Sequence, residues 1–198
     1  GLREAKEVSE LAALARHFQG QARYGLQVKV QHSLPEISLQ TDLQGMAVQL
    51  PAPFNKPEES ALALQIQHTM PPVSKPLTDQ ISVQWGNKAA AVLERDISAQ
   101  QARITRGSVE LVESGTAEAS LPLAGLQANV QLPVLDLDAW SALLPEETDR
   151  VAGAAIPEQE PWRQWLPAQL TLKAQQVQFQ GRSLHDVSLQ LSHTEQIW

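Results

Sequence analysis

The sequence predicts a mainly β fold built on a mostly antiparallel sheet, and three observations lead to this fold class. Apolar and polar residues alternate along most of the 198 residues, as they do in strands with one apolar and one wet face. Roughly ten such stretches recur at spacings of about 8–12 residues, separated by turn-forming residues. The apolar fraction of 42% is too high for a disordered chain, so these stretches are expected to be ordered strands.

The first element expected is an amphipathic helix over residues 1–18. Its apolar residues follow the three-and-four spacing of one helical face, and Gly20 ends the pattern. From residue 19 to residue 198 the chain is expected to form a single β-rich unit. The chain has no initiator Met and stops at Trp198 directly after a strand pattern, and natural termini are usually polar and loose. We therefore expect a fragment of a larger protein.

The strand candidates follow in order along the chain. The alternation slips by one residue at Gly45 and again at Gly125, which predicts a bulge or tight turn at each. The similar stretches LQGMAVQLPAPF and LAGLQANVQLPVL form a faint repeat, which suits a sheet built by repeating one structural unit. The candidate strands lie at residues 24–30, 37–43, 46–50, 62–66, 81–85, 89–93, 104, 109–111, 121–123, 126–132, 170–179 and 187–191.

Two interruptions break this β pattern. A short helix is predicted over residues 138–144, because an N-cap type of residue, Asp136, precedes it and Pro145 ends it. Residues 145–165 lack any periodicity and predict a mobile loop, and residues 71–80 predict a shorter linker of the same kind.

The composition excludes several classes of function. Without cysteine the chain has no disulfides, no thiolate catalysis and no cysteine-ligated metal. With 22 acidic and 15 basic residues the net charge is −7, so nucleic acid is not an expected partner and neither is an anionic lipid surface. Much of the polarity comes from 24 glutamines, which are expected on the wet face of the strands.

No constellation in the sequence indicates catalysis. There is neither a G-x-S-x-G motif nor a glycine-rich phosphate loop, and the pairs Glu58–Glu59 and Glu146–Glu147 are expected to be solvated acidic patches. None of the histidines has the spacing of metal ligands: His17, His32, His68, His185 and His193. We therefore expect no enzymatic activity, no cofactor and no metal.

The apolar strand face has two interpretations at this point. In a closed sandwich it is the core, and periodicity alone favours this ordinary explanation. Alternatively the sheet curls into an open trough whose aliphatic lining meets acyl chains, since such a non-directional lining suits a hydrocarbon ligand.

Three segments of the chain carry motifs of a known family. They are TDLQGMAVQLPAPFNKP at 41–57, LPVLDLDAWSALLP at 132–145 and LPAQLTLKAQQVQFQGRSLHDVSLQL at 166–191. In this order they resemble three elements of the YhdP family, the large AsmA-like proteins of Gram-negative envelopes that are distantly related to TamB. The elements are D-L-x-G-L-x-x-x-L-P-A-P-x-x-K-P, L-D-L-D-x-W-x-x-L-L and a strand pair around G-R-x-L. Val177 stands where the strand pair usually has Leu, which preserves the strand.

This resemblance implies a function in lipid transport. Proteins of this family have an inner-membrane anchor and a long periplasmic β-sheet rolled into a groove, and they are thought to move phospholipid between the inner and outer membranes. This chain would be an internal periplasmic piece of such an open, taco-like groove. The implied partners are phospholipid or another acyl-chain lipid and the neighbouring parts of the same protein. Exposed sheet edges would also favour end-to-end self-association.

The groove hypothesis assigns its lining to the alternating apolar residues. Trp140, Trp162 and Trp165 are candidates to cover a groove mouth, although Trp140 is more naturally an anchor of the short helix to the sheet. The competing hypothesis is a closed β-sandwich scaffold of the cell envelope that binds no lipid and uses loop 145–165 for contacts. The expected lining residues are Tyr24, Leu26, Val28, Val30, Leu39, Leu64, Ile66, Val83, Val130, Leu172, Leu189 and Leu191.

Overall fold

A computed structural model of the chain describes residues 16–31, 34–71, 76–99, 102–143 and 166–192. Within these ranges the chain is mainly β, with one short helix. The elements in chain order are β1 (Phe18–Gly20), β2 (Tyr24–Gln31), β3 (Leu34–Thr41), β4 (Met46–Val48), β5 (Leu64–Thr69), β6 (Thr78–Trp85), β7 (Ala89–Asp96), β8 (Arg103–Leu111), β9 (Gly125–Asp136), α1 (Leu137–Ser141), β10 (Gln169–Phe179) and β11 (Arg182–Ser192).

Nine of these strands form one large sheet in the order β11-β10-β9-β8-β7-β6-β5-β3-β2, and β1 pairs with β4 in a separate two-stranded ribbon. The prediction of a mainly β fold is confirmed. Six of the eight strand pairs in the large sheet are antiparallel, as expected of a mostly antiparallel sheet, but the sheet as a whole is mixed. Strand β9 runs parallel to both of its neighbours, β8 and β10. The reason is that the chain does not turn back after β8. It crosses the sheet along residues 112–124, so β9 starts at the same end as β8.

The predicted helices have different outcomes. Residues 1–15 of the expected N-terminal helix lie outside the described residues, and its last residue is wrong, because Phe18 begins β1 and pairs with Val48. The short internal helix is confirmed as α1, although it begins one residue before the predicted span of 138–144 and ends at Ser141. As expected, Asp136 caps it, accepting a hydrogen bond of 2.8 Å at Oδ1 from the backbone N–H of Ala139. The loop predicted at 145–165 lies outside the described residues.

Two other sequence predictions are wrong in detail. Residues 121–123 form no strand, because the crossover there is held by side chains of the sheet rather than by a strand partner. The faint repeat does not correspond to a repeated structural unit. Its first copy contributes the three-residue β4, whereas its second copy contributes most of the twelve-residue β9 in the middle of the large sheet.

Residues 43–63, which we call the cover segment, pack onto one side of the large sheet. Leu43 and Val48 from this segment form a buried cluster with Trp85 and Ala89 of the sheet. The cover segment is held by Lys56, which is 4% exposed and donates from Nζ to the carbonyl oxygens of Met46 at 2.7 Å and Pro57 at 2.9 Å. Buried carbonyls that lose such a partner carry a desolvation cost, so Lys56 keeps the cover segment folded back on itself.

The ribbon of β1 and β4 depends on two glycines. Gly20 and Gly45 both have positive φ angles, of 104° and 85°. A Cβ atom on Gly20 would lie 2.2 Å from the carbonyl oxygen of Gly45, so no other residue fits this crossing without displacing the backbone. The slip in alternation at Gly45 therefore marks a tight turn, as predicted.

Candidate functional site

A continuous apolar face crosses the whole large sheet. The strand registers place apolar residues directly opposite one another on neighbouring strands, and side chains at alternate positions share one face. The central row of this apolar face is Leu26, Leu39, Ile66, Val83, Ala91, Val109, Ala128, Leu170 and Leu191. Two residues along each strand lies a second row, formed by Tyr24, Thr41, Leu64, Trp85, Ala89, Leu111, Val130, Leu172 and Leu189.

All twelve predicted lining residues lie on this apolar face by strand alternation. Ten of them stand in the two rows, and Val28 and Val30 continue the face along β2. None of the twelve is buried. Those on the two edge strands are exposed, from 40% at Leu189 to 70% at Tyr24 and Val30, and those on the inner strands are half-buried. An apolar face packed inside a closed core would instead be buried along most of its length.

The opposite face of the sheet is polar, as the glutamine pattern predicted. One row on this face contains Gln27, Ser38, Gln67, Ser82, Val92, Ser108, Gln127, Gln169 and Ser192. The crossover of residues 112–124 lies over the middle of it, where Gln84 Nε2 donates to the carbonyl of Ala117 at 3.2 Å and Ser108 Oγ donates to that of Ser120 at 2.8 Å. The crossover therefore occupies the polar face and leaves the apolar face to other contacts.

One rim of the apolar face is closed by aromatic side chains. The Phe54 ring, from the cover segment, lies 5.9 Å from the ring of Trp85 and 5.8 Å from the ring of Trp140, measured between centroids. Trp140 was expected to anchor the short helix to the sheet, and the contact of its ring with Phe54 joins α1 to the cover segment. Trp162 and Trp165, the other candidates for a groove mouth, lie outside the described residues.

The short helix is also tied to the last hairpin of the sheet. Asp138 accepts hydrogen bonds from the backbone N–H groups of Gln180 at 2.7 Å and Gly181 at 2.9 Å, which form the turn between β10 and β11. Phe54, Trp140 and Asp138 together connect the cover segment, α1 and the far edge of the sheet. Of these three residues, Trp140 alone was a candidate from the sequence.

Three polar side chains, His68, Asp79 and Arg95, interrupt the apolar face near its other rim, and we call them the polar trio. Asp79 is 3% exposed. Its Oδ2 accepts from Arg95 Nη2 at 2.5 Å and lies 2.9 Å from His68 Nε2, and its Oδ1 accepts from Arg95 Nε at 2.9 Å. Each of these residues is an even number of positions from a residue of the central row on its own strand, namely Ile66, Val83 or Ala91. They therefore lie on the apolar face.

The surroundings of Asp79 favour its ionised form. Burial acts to raise the pKa of the carboxyl, but the hydrogen bonds from Arg95 and His68, together with the attraction of their charges, outweigh it and hold the pKa below the usual 3.8. Asp79 is therefore an anion under ordinary conditions, and its charge is balanced by the guanidinium beside it.

Asp79 should make the stability of the fold sensitive to acid. A carboxyl whose pKa is lowered by folding stabilises the protein above its unfolded pKa, and this contribution is lost as the pH falls through the folded pKa. We expect the free energy of unfolding of the wild-type protein to fall below about pH 5. The variant Asp79→Asn should have a lower free energy of unfolding at pH 6 and should lose less of it over the same pH range. Urea unfolding between pH 6 and pH 2 measures both. Equal pH dependence in the two proteins would contradict this account.

The polar trio was missed by the sequence analysis, although a signal was present. His68, Asp79 and Arg95 each stand where the alternation of their strand calls for an apolar residue. His68 was considered only as a metal ligand, and its contact with Asp79 depends on the pairing of β5 with β6. In the described part of the chain no group of three or more His, Asp or Glu side chains is arranged to hold a metal ion.

Comparison with known proteins identifies a family. The model of a protein family described as YhdP protein matches residues 4–198, which is nearly the whole chain. Searches of curated proteins and of solved structures find no match. Among the described residues, no helix has both the length and the apolar character needed to cross a bilayer.

Proposed function

Since this chain belongs to the YhdP family of envelope proteins, we propose that it forms part of a periplasmic groove that conducts lipid between the inner and outer membranes. In this proposal the large sheet curves around the acyl chains of phospholipid, and its apolar face is the lining. The full protein is anchored in the inner membrane, and neighbouring parts of it extend the groove at the edges of this sheet. No covalent chemistry is involved.

The observation that supports the proposal is the apolar face itself. Its central row presents an aliphatic side chain from each of the nine strands, and its predicted lining residues are exposed or half-buried. Contact with hydrocarbon removes such surface from water at a gain of about 25 cal/mol for each Å². Because the gain is non-directional, a lipid can slide along the rows without breaking specific bonds.

The dimensions of the sheet suit this function. Nine strands spaced about 4.8 Å apart extend for about 40 Å along the rows. The hydrocarbon core of a whole bilayer is about 30 Å thick, so each row is longer than the acyl chains of one leaflet. A lipid lying along the rows is therefore covered over its full apolar length.

The competing hypothesis, a closed β-sandwich scaffold, has less support. A sandwich needs a second sheet of comparable size against the apolar face. Within the described ranges the other sheet is the ribbon of β1 and β4, whose strands have three residues each. It reaches the row of Trp85 and Ala89 and is too small to cover nine strands.

Lipid extraction of the purified protein tests the proposal. We expect organic extracts analysed by mass spectrometry to contain co-purifying phospholipid, and the delipidated protein to bind a fluorescent fatty acid. A soluble β protein of similar size, prepared from the same cells, serves as the control for lipid carried over from the lysate. Absence of phospholipid above this control, together with no binding of the fatty acid, would contradict the proposal.

A further inference from the structure

The proposed lipid groove places a polar group beside hydrocarbon at one rim, and on that basis we infer that the polar trio is a binding site for the phosphate of a lipid headgroup. His68 and Arg95 are the ligand-contacting groups, and Asp79 positions them. Nothing in the transport of hydrocarbon alone requires such a site.

The position of the polar trio on the sheet is the first argument. His68 lies two residues beyond Ile66 on β5, so its Cα atom stands about 7 Å from the central row. On β2 to β8, His68, Asp79 and Arg95 are the acidic and basic residues that the strand registers place on the apolar face among the described residues. Asp136 at the end of β9 also falls on this face, but it lies at the other rim, where its carboxylate caps α1. The opposite rim is closed by Phe54 and Trp140. When the acyl chains of a lipid lie on the central row, the polar trio is therefore the charged surface that its headgroup can reach.

The chemistry of the polar trio is the second argument. The buried Asp79 carboxylate fixes the direction of both cationic groups, while the side chains of Arg95 and His68 stay 31% and 29% exposed. A guanidinium is a planar cation with five N–H donors and suits phosphate. His68 contacts Asp79 through Nε2, so its Nδ1 is the ring nitrogen that is directed elsewhere. When the ring is protonated, Nδ1 becomes a donor for an anion.

Stability alone does not account for the polar trio. Burying an ion pair costs desolvation, and apolar residues of similar size at such positions are often equally stable or more so. The other ion pair in the described residues, Glu94 with Arg106 at 2.8 Å, lies on the polar face, where water reaches it. The two pairs have similar fork-like geometry on opposite faces, so the second pair provides a matched control.

The test compares two ligands with identical acyl chains, phosphatidic acid and diacylglycerol, for binding to the delipidated chain. We expect wild type to prefer phosphatidic acid by about tenfold, the size of one charge-assisted hydrogen bond. The double variant Asp79→Asn/Arg95→Gln removes both charges together and should lose this preference while binding diacylglycerol as before. His68→Gln should reduce the preference severalfold, and the control Arg106→Gln should leave it unchanged.

Each outcome decides between the possibilities. If wild type binds neither lipid, the proposed groove itself fails. If wild type binds both lipids equally, or if the preference survives in His68→Gln and in the double variant, the groove stands and the headgroup site is wrong. Thermal melting shows whether the double variant folds, and His68→Gln alone decides the question if it does not. A preference that persists in excess inorganic phosphate supports a lipid-borne phosphate, whereas its loss would assign the site to the free ion and overturn the inference.

Discussion

Ile66→Asp is expected to weaken lipid binding by about tenfold or more while the protein stays folded. Ile66 stands in the central row between Leu39 and Val83, and a carboxylate there would have to be stripped of water whenever an acyl chain covers it. An unpaired charge in an apolar environment costs several kcal/mol, and each 1.4 kcal/mol is about tenfold in affinity. Because Ile66 is only half-buried in the free protein, the new carboxylate keeps part of its hydration until lipid binds.

The neighbouring substitution Gln67→Asp is the matched control for this experiment. Gln67 is the next residue on the same strand, and its exposed side chain lies on the polar face. The substitution introduces the same charge at a neighbouring position of the same strand but on the opposite face. It should therefore change neither lipid binding nor the melting temperature. Titration with a fluorescent fatty acid and circular dichroism measure the two properties. If Ile66→Asp binds lipid as well as Gln67→Asp does, the apolar face is not the lining.

Trp85→Ala is expected to cost the largest amount of stability, about 3–5 kcal/mol, as is usual when a large buried aromatic side chain is removed. Trp85 is 6% exposed and contacts Phe54 at a centroid distance of 5.9 Å. For a domain of this size the loss corresponds to a fall in melting temperature on the order of 10 °C. The cover segment should also become more sensitive to proteolysis, since its buried cluster includes this ring.

Trp85→Phe separates the effect of packing from the effect of the indole N–H. The Nε1 atom of Trp85 is buried and has no hydrogen-bond partner among the described residues, so replacing it with carbon removes a small desolvation cost. We expect this variant to lose much less stability than Trp85→Ala. A change of under about 1 kcal/mol in Trp85→Ala would instead resemble a surface substitution, and it would show that the cover segment is not held by this contact.

Alternation of residues was enough to predict the face to which a strand residue belongs. Leu26, Ile66 and Leu191 lie on one face because a two-residue period assigns every side chain to one side of a sheet, and the turn at Gly45 followed from the slip in that period. The order and direction of the strands do not follow from alternation. Strand β9 has the same pattern as its neighbours, and its parallel pairing depends on where the crossover of residues 112–124 packs.

For the candidate site too, the face on which a residue lies was predictable from the sequence, but the contacts between strands were not. The period alone was enough to place the twelve predicted lining residues on one face of the sheet, since apolar residues recur there at every second position. The polar trio and the cover segment depend on contacts between residues far apart in the sequence. Arg95 contacts Asp79 only because β6 pairs with β7 in this register. Phe54 contacts Trp140 although the two residues are 86 positions apart in the sequence. No local pattern encodes either contact.

The parallel placement of β9 also means that part of the sheet depends on pairings between residues distant in the sequence. Pairs such as β6 with β7, or β10 with β11, close short loops. In contrast, Gln169 of β10 pairs with Gln127, 42 positions before it. Long loops cost more entropy to close, and sheets rich in such pairings form slowly. Without β9 the central row would stop at Val109 and resume at Leu170, so the continuous apolar surface depends on this one strand pairing with both of its neighbours.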